Sequence, residues 1–300
     1  GQMTDQEILS NPEKLKDLAK EYKQLEPVVL IGIEYIKILD QIIDCESLID
    51  SDDPELKEMA IEDLASNKKT KADIEEDLKI KLIPKDPLDN KNIKAIWCAR
   101  GGYGAVRIID KLNFDNYLKN PKWIIGFSDI TVIHNKLNFL NSESIHAMMI
   151  TGFEDIGQNN DSLSKLKNVL FGDSLSYSIA SNKNNKTGKS EGIIVGGNLT
   201  LIQSTIGSKT ELKMKDKILF IEEIGEYAYH IDRMLYSLKR AGYFENCMGL
   251  IVGQISDVKK NTTDFGRSIN ELILDVLDEY NFPILFDFPA GHEKTNFPII

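Results

Sequence analysis

A serine, a glutamate and a histidine with the chemistry for acyl transfer each follow an apolar run in this chain of 300 residues. Ser128 comes first, after the apolar run Trp123–Ile125 and a Gly-Phe pair, and before the periodic apolar segment 130–140. A serine at the turn from a buried strand into a helix exposes its hydroxyl at the carboxyl edge of a sheet, where helix N–H groups point at the reacting atoms. A serine hydrolase presents its nucleophile in this way. The alternative is that Ser128, or Asp129 beside it, only caps the following helix.

The glutamate and the histidine occupy comparable positions further along the chain. Glu222 ends a predicted strand, where the active sites of α/β proteins are built, but Glu223 and Glu226 are close rivals, and spacing alone does not choose among them. His292 lies on a loop just after the last predicted strand. From there a histidine would take the serine proton as general base and pass it to a leaving amine, while the glutamate would hold the imidazole tautomer. For each of these side chains the alternative is a surface residue without a role.

A glycine-rich turn, Arg100–Gly104, follows a predicted strand and opens a predicted helix. Glycines there let the backbone approach a ligand, and the N–H groups at the helix start hold an anion. We predict that Gly102 of this turn and the N–H of Asp129 form an oxyanion hole; the alternatives are a tight turn or a phosphate cradle. The spacing is neither GxGxxG nor a P-loop. Arg100 and Tyr103 are candidates for contact with a substrate carboxylate, although Arg100 suits a structural ion pair equally well.

The composition excludes several classes of function. With a net charge of −11 and no basic block, the chain is a poor ligand for nucleic acid. No apolar run approaches the roughly 20 residues that span a bilayer, and the polar amino terminus is no signal peptide. The three cysteines, Cys45, Cys98 and Cys247, form no CxxC pair and fit a reduced cytoplasmic protein. We therefore expect a cytoplasmic location, no membrane or nucleic-acid partner, and, because no cluster has metal-ligand spacing, no metal and no inhibition by chelators.

The elements that must position these residues belong to two unlike halves. Residues 1–92 are helical and highly charged, with helix starts at Asn11-Pro12-Glu13 and Asp53-Pro54-Glu55 and a stop at Ile83-Pro84. They predict two or three antiparallel helices, a hairpin or bundle. After residue 92 strands alternate with helices, which favours an α/β fold: a mostly parallel sheet with flanking helices.

Within this second half we predict a nucleophile-bearing α/β unit over 93–157, a polar linker or loop over 158–190, and a carboxyl-terminal α/β domain over 191–300 that carries Glu222 and His292. The predicted strands are Ile93–Ala99, Trp123–Phe127, Gly192–Val195, Ile218–Ile221, Gly249–Gly253 and Pro283–Phe286. The predicted helices are Ala105–Leu112, Ile130–Leu140, Leu199–Ile206, Tyr229–Ala241 and Ser268–Tyr280.

The matching stretches for a known family are Ala99–Gly104, Pro121–Thr131, Gly196–Leu199, Leu219–Glu223, Asp232–Leu235 and Gly291-His292. On these, the chain from about residue 93 to residue 300 resembles the LD-carboxypeptidases, serine peptidases that include muramoyl-tetrapeptide carboxypeptidases and microcin-immunity peptidases. The resemblance implies a nucleophile at Ser128, a glutamate at Glu222 and a base at His292. It also implies oxyanion donors from the glycine-rich turn and Asp129. The substrate that it implies is a peptide ending in a D-residue, typically a peptidoglycan tetrapeptide cut before its terminal D-alanine.

Residues from about 4 to 92 resemble something else. The stretches Asn11–Tyr22, Asp53–Ala60 and Leu82–Pro87 are similar to the N-terminal helical domain of a bacterial class I peptide chain release factor. The Gly-Gly-Gln motif and the codon-reading domain of such factors do not occur here, so the resemblance implies no peptide release. With the junction between about Asn90 and Lys94, we expect the peptidase half to lack the first strands and helices of its family.

Together these observations favour a serine-type LD-carboxypeptidase that needs no cofactor and acts on small muropeptides in recycling or self-immunity. The family resemblance also suggests a homodimer. One alternative is a catalytically inactive fusion that acts through a helical, translation-factor-like interaction module. A second alternative is a small-molecule binding module that holds an anion on its glycine-rich turn.

Overall fold

The computed structural model describes residues 12–49, 53–82, 87–153, 161–260, 262–263 and 265–300. They form two compact units, which are divided between Asp86 and Pro87. The predicted helix start at Asn11 and the predicted stop at Ile83-Pro84 lie outside the described residues.

The first unit is a helical hairpin, as the capping signals and apolar spacing predict. Helix α1 spans Pro12–Leu48 and helix α2 spans Pro54–Leu82. The Asp53 carboxylate accepts a hydrogen bond from the backbone N–H of Glu55 at 3.0 Å, which satisfies one of the free donors at the start of α2. Among the hairpin side chains that the structure describes, the buried apolar ones are Ile42, Cys45, Ala60 and Ile74.

The second unit begins with a three-stranded parallel sheet in the order β1-β2-β3. Its strands are β1 Ala95–Trp97, β2 Trp123–Gly126 and β3 Ile145–His146. Its helices are α3 Ala105–Ile108, α4 Asp115–Lys119 and α5 Thr131–Phe139, with short 3-10 turns at Ile109–Lys111, Ser128–Ile130 and Ile150–Gly152. Strand β3 is not among the predicted strands, because two residues carry no readable periodicity.

A four-stranded parallel sheet in the order β4-β5-β6-β7 completes this unit. The strands are β4 Ile193–Asn198, β5 Lys217–Ile224, β6 Cys247–Ser256 and β7 Ile284–Leu285. The helices between them are α7 Leu199–Ser204, α8 Ala228–Arg240 and α9 Ile269–Val276. Parallel neighbours need a crossover connection, which these helices provide, and the predicted α/β fold with a mostly parallel sheet is confirmed.

The region predicted as a polar linker contains a helix. Helix α6 spans Asp161–Leu170, inside the range 158–190 that composition assigned to loop. Its polar residues conceal an apolar stripe, since Leu166 and Val169 are buried in a cluster with Ile125 and Ile145. The polar average composition of the region led to the prediction of a loop, although its apolar residues Leu163, Leu166 and Val169 recur every three residues, as in an amphipathic helix.

Lys122 ties the start of the second unit to strand β2. Only 5% of its surface is exposed, and its ammonium group donates to the carbonyl oxygens of Pro87 and Leu88, both at 2.9 Å, and of Asn90 at 3.0 Å. A buried cation is tolerated only when such partners replace water. The Lys122 side chain therefore binds three successive parts of the segment that leads into the sheet.

We expect Lys122→Met to lower the free energy of unfolding by about 2–4 kcal/mol, because three backbone carbonyls, that of buried Leu88 among them, lose a charged donor. Chemical denaturation of the purified chain measures this. Lys119→Met is the matched control, since Lys119 is exposed and its loss should change stability by less than about 0.5 kcal/mol. Equal effects of the two changes would contradict the role given to Lys122.

Candidate active site

Ser128 lies at a sharp turn between strand β2 and helix α5. Its φ angle is +61°, a left-handed conformation that costs a non-glycine residue about 1–3 kcal/mol. Gly126 makes room for the turn, because a Cβ atom there would come within 2.9 Å of the Ile130 side chain. The cap residue of helix α5 is Ile130, and no side chain makes a capping hydrogen bond there. Neither Ser128 nor Asp129 therefore caps this helix. This is the geometry of a nucleophile elbow.

The glycine-rich turn lies directly against this serine. A Cβ atom on Gly101 would be 3.2 Å from Ser128 Cβ and 3.3 Å from Ser128 Oγ. The Asp129 carboxylate accepts a hydrogen bond from the backbone N–H of Ala105 at 2.9 Å, which joins the start of α3 to the elbow. Gly102 has φ +127°, which an L-residue rarely adopts. The predicted oxyanion donors, Gly102 and Asp129, therefore stand on two backbone segments that are in contact.

Glu222 and His292 form a buried pair. Glu222 Oε2 and His292 Nδ1 are 2.7 Å apart, and Glu222 is completely buried. Burial raises the pKa of the Glu222 carboxyl, and the hydrogen bond from His292 opposes that rise. The contact orients the imidazole so that Nε2 is the nitrogen left for proton transfer.

The structure also chooses among the three glutamates. The Glu223 carboxylate accepts hydrogen bonds from Asn198 Nδ2 at 3.0 Å and from the backbone N–H and hydroxyl of Thr200, both at 2.8 Å. Glu226 pairs with His230 at 2.5 Å. Both rivals are engaged in local structure, and Glu222 alone of the three contacts His292.

A register shift brings Glu222 to this position. The pairing of β5 with β6 changes register between Ile221 and Glu223, so that two residues of β6, Gly253 and Gln254, lie opposite the single residue Glu222. Such irregularities re-aim a side chain at the edge of a sheet. Sequence periodicity does not reveal them.

Gln254 holds the loop that carries His292, and sequence reasoning missed it. Its backbone N–H donates to Ala290 O at 2.9 Å, its side-chain amide donates to Thr295 O at 2.9 Å, and its Oε1 accepts from the N–H of Glu293 at 3.0 Å. The loop is thus fixed on both sides of His292. A lone glutamine at a predicted strand end gave no signal of this.

Phe127, the residue before Ser128, contacts His292. The Phe127 ring lies edge-on to the His292 imidazole with centroids 4.8 Å apart. Within the described part of the chain, no hydrogen bond joins the Ser128 hydroxyl to the imidazole. Such contacts are often long without substrate and tighten in the complex. The structure therefore brings together Glu222 and His292 directly and Ser128 through Phe127.

The two candidates for substrate contact on the glycine-rich turn lie apart from the cavity at His292. Arg100 is exposed, and Tyr103 is 77% exposed with the Arg107 guanidinium 5.6 Å from its ring centre. A cavity of about 410 Å³ adjoins His292 and Phe127, and neither Arg100 nor Tyr103 lines it. Among the described residues, no group of three or more His, Cys, Asp or Glu side chains is arranged to hold a metal ion.

His134 binds the backbone two residues before Ser128. Its Nε2 lies 2.9 Å from Gly126 O, a pure acceptor, so Nε2 carries the hydrogen and Nδ1 accepts from the Ser144 hydroxyl at 2.8 Å. Burial lowers the pKa of His134 to about 4. The His134 ring is buried, and Gly126, whose carbonyl it binds, ends strand β2.

Two sequence models of one family match the chain, the LD-carboxypeptidase N-terminal domain over residues 81–147 and the C-terminal domain over residues 191–300. A putative carboxypeptidase of Rickettsia conorii is 32% identical over 228 residues, which cover 72% of this chain and 68% of that protein. A probable murein peptide carboxypeptidase of Bacillus subtilis is 32% identical over 67% of this chain and 64% of that protein. The crystal structure of muramoyltetrapeptide carboxypeptidase from Oxalobacter formigenes is similar with a TM-score of 0.66 at 27% identity, covering 71% and 73% of the two chains.

These matches define a hydrolase of the α/β class. The chain belongs to the LD-carboxypeptidase family, as its motifs predict, although the family match begins at residue 81 rather than near residue 93. The chain spans about two thirds of the length of these curated relatives.

The helical unit has a relative of its own. Peptide chain release factor 1 of Campylobacter jejuni is 44% identical over 91 residues, which are 30% of this chain and 25% of that factor. The predicted release-factor resemblance is therefore confirmed. None of the helices in the described ranges has the length and hydropathy required to cross a membrane.

Gly101→Ala should slow the reaction of Ser128 with a serine-directed fluorophosphonate by about threefold or more, because a displacement of the order of 1 Å at a reacting group costs up to about a hundredfold and the contact requires a fraction of that shift. The new Cβ would push on the Ser128 side chain. Gly104→Ala is the matched control, since a Cβ there meets nothing within 4 Å and its φ of −94° suits alanine. Labelling rates that fall equally in both variants would contradict the contact.

The pKa of His134 predicts an acid-dependent loss of stability. Because the folded-state pKa of about 4 lies below the ordinary value of 6.5, the unfolded chain binds more protons between these values. The contribution of His134 to the free energy of unfolding is complete above pH 6.5. It is lost as the pH falls toward 4, which lowers the free energy of unfolding by up to about 3 kcal/mol. Urea denaturation from pH 4 to 7 should show a shallower pH dependence in His134→Asn than in the half-buried control His230→Asn. Equal slopes would refute the assignment.

Proposed function

We propose that this chain is a serine-type LD-carboxypeptidase that releases a terminal D-amino acid, D-alanine, from peptidoglycan-derived tetrapeptides. The observation that carries the proposal is the buried Glu222–His292 pair, 2.7 Å apart, beside the strained Ser128 turn. The named relatives from Rickettsia conorii and Bacillus subtilis support the reaction class. Recycling or self-immunity in the cytoplasm, and assembly as a homodimer, stay predictions.

In this mechanism Ser128 Oγ attacks the carbonyl carbon of the last peptide bond while its proton passes to His292 Nε2. The tetrahedral oxyanion is stabilised by the N–H groups of Gly102 and Asp129. Collapse of the intermediate breaks the C–N bond, and His292 gives its proton to the departing amine. Water then enters, His292 removes its proton, and the Ser128 ester is hydrolysed by the same steps.

Glu222 acts through His292 rather than on the substrate. Its carboxylate fixes the Nδ1–H tautomer and stabilises the imidazolium that forms when His292 takes the serine proton. Because Glu222 is completely buried, this charge interaction is little screened by water.

The second candidate rests on the helical unit. The release-factor match covers 91 residues, 30% of this chain, and apolar side chains of α1 such as Leu30 and Ile33, 61% and 60% exposed, lie on the surface of the helical unit. In this alternative the peptidase half is inactive and the hairpin acts as an interaction module. An inactive wild-type chain would favour it.

Ser128→Ala should abolish release of D-alanine from a muramoyl tetrapeptide, a loss of at least about a thousandfold, because the nucleophile is gone. The amount of free D-alanine is measured with a coupled D-amino acid oxidase assay. Ser174→Ala, on an exposed loop, is the matched control and should keep the wild-type rate. Full activity of Ser128→Ala would refute the proposed mechanism.

A further inference from the structure

The cavity of about 410 Å³ beside His292 has a polar end. Besides Phe127 and His292, its wall includes Met148 and Thr151, and it is continued by Lys294 and Asn296 of the loop that carries His292. The methionine and phenylalanine side chains make one side apolar. The ammonium and carboxamide groups lie on the segment that follows the catalytic histidine.

The chemistry of the proposed reaction places the leaving group at this cavity. His292 Nε2 must reach the nitrogen of the scissile bond in order to protonate it. In a carboxypeptidase substrate that nitrogen is joined through one Cα atom to a free carboxylate. The carboxylate therefore lies within a few ångströms of His292 when the bond breaks, and the groups around His292 meet it.

The side-chain amide nitrogen of Asn296 is a hydrogen-bond donor without an acceptor among the described residues. Its side-chain oxygen accepts a hydrogen bond from the backbone N–H of Gly291 at 3.3 Å, which fixes the orientation of the carboxamide. Its Nδ2 is buried and has no partner among the described residues, and the residue is only 3% exposed. An unmet buried donor is costly, so a ligand oxygen there gains more than a contact in water would.

Lys294 supplies the charge. It is exposed, and it stands two residues after His292 on the wall of the same cavity. Glu293, also exposed and on this wall, carries the opposite charge, so the segment as a whole does not attract every anion. The specific partner for a carboxylate is the combination of the Lys294 ammonium with the Asn296 amide.

We propose that Lys294 and Asn296 form the subsite that binds the terminal carboxylate of the substrate. This assignment rests on the proposed function and moves carboxylate recognition from Arg100 to the loop after His292. The subsite restricts the enzyme to the last residue of a peptide, because a longer peptide presents an uncharged amide at this position. It also holds the leaving amine against His292.

The test compares two peptides, the peptidoglycan tetrapeptide ending in D-alanine and the same peptide ending in D-alaninamide. For the wild type we expect kcat/KM to be about tenfold or more higher for the free carboxylate, as a charge-assisted hydrogen bond implies. Lys294→Met and Asn296→Asp should each lower kcat/KM for the carboxylate about tenfold or more, and leave the carboxamide nearly unchanged. The aspartate keeps the acceptor for Gly291 but repels the ligand.

Matched controls separate this subsite from charge and folding effects. Lys189→Met, on the exposed segment before β4, removes the same charge and should keep the wild-type preference. A thermal melt of each variant checks that it is folded. A wild-type preference that survives in both Lys294→Met and Asn296→Asp overturns the subsite while the proposed function stands. A wild type that hydrolyses neither peptide overturns the proposed function itself.

Discussion

The left-handed backbone of Ser128 is the constraint on which the rest of the site depends. A φ of +61° persists in a serine only when its surroundings determine it more strongly than local preference does. Gly101 and Gly126 leave the space for it, the Asp129 carboxylate joins it to helix α3, and His134 holds the carbonyl of Gly126. These contacts come from the glycine-rich turn, from helix α5 and from the start of helix α3 as well as from the Ser128 turn, so packing around the turn balances the strain.

A second set of contacts joins this elbow to the sheet that carries Glu222. The Thr131 hydroxyl, in the first turn of helix α5, accepts a hydrogen bond from the backbone N–H of Asn198 at 3.0 Å. A Cβ atom on Gly197 would come within 2.5 Å of that hydroxyl, so only a glycine allows this approach. Asn198 in turn donates to Glu223, the neighbour of Glu222. Hydrogen bonds through Asn198 thus link helix α5, which follows Ser128, to strand β5, which carries Glu222.

The sequence was sufficient for features that rest on local pattern and insufficient for those that rest on tertiary contact. Strand β2 and its turn at Ser128 were predicted because an apolar run is followed by a glycine and then by apolar residues at helical spacing. Spacing does not choose Glu222 over Glu223, because β5 is buried on both faces and both glutamates point into protein. The family resemblance implied Glu222, and in the structure the contact to His292 separates it from Glu223, which binds Asn198 and Thr200 instead. Gln254 escaped notice for the same reason, since its partners lie about 40 residues away.

The burial of Glu222 has an energetic consequence for the proposed reaction. Removing a carboxylate from water raises its pKa and costs free energy in the resting protein, where the imidazole of His292 offsets part of that cost by a hydrogen bond. When His292 takes a proton, the same carboxylate faces a full positive charge 2.7 Å away in a site walled by Phe127. The attraction is therefore larger in the transition state than in the ground state, and only such a difference accelerates a chemical step. A glutamate at the surface would be screened equally in both states and would contribute little.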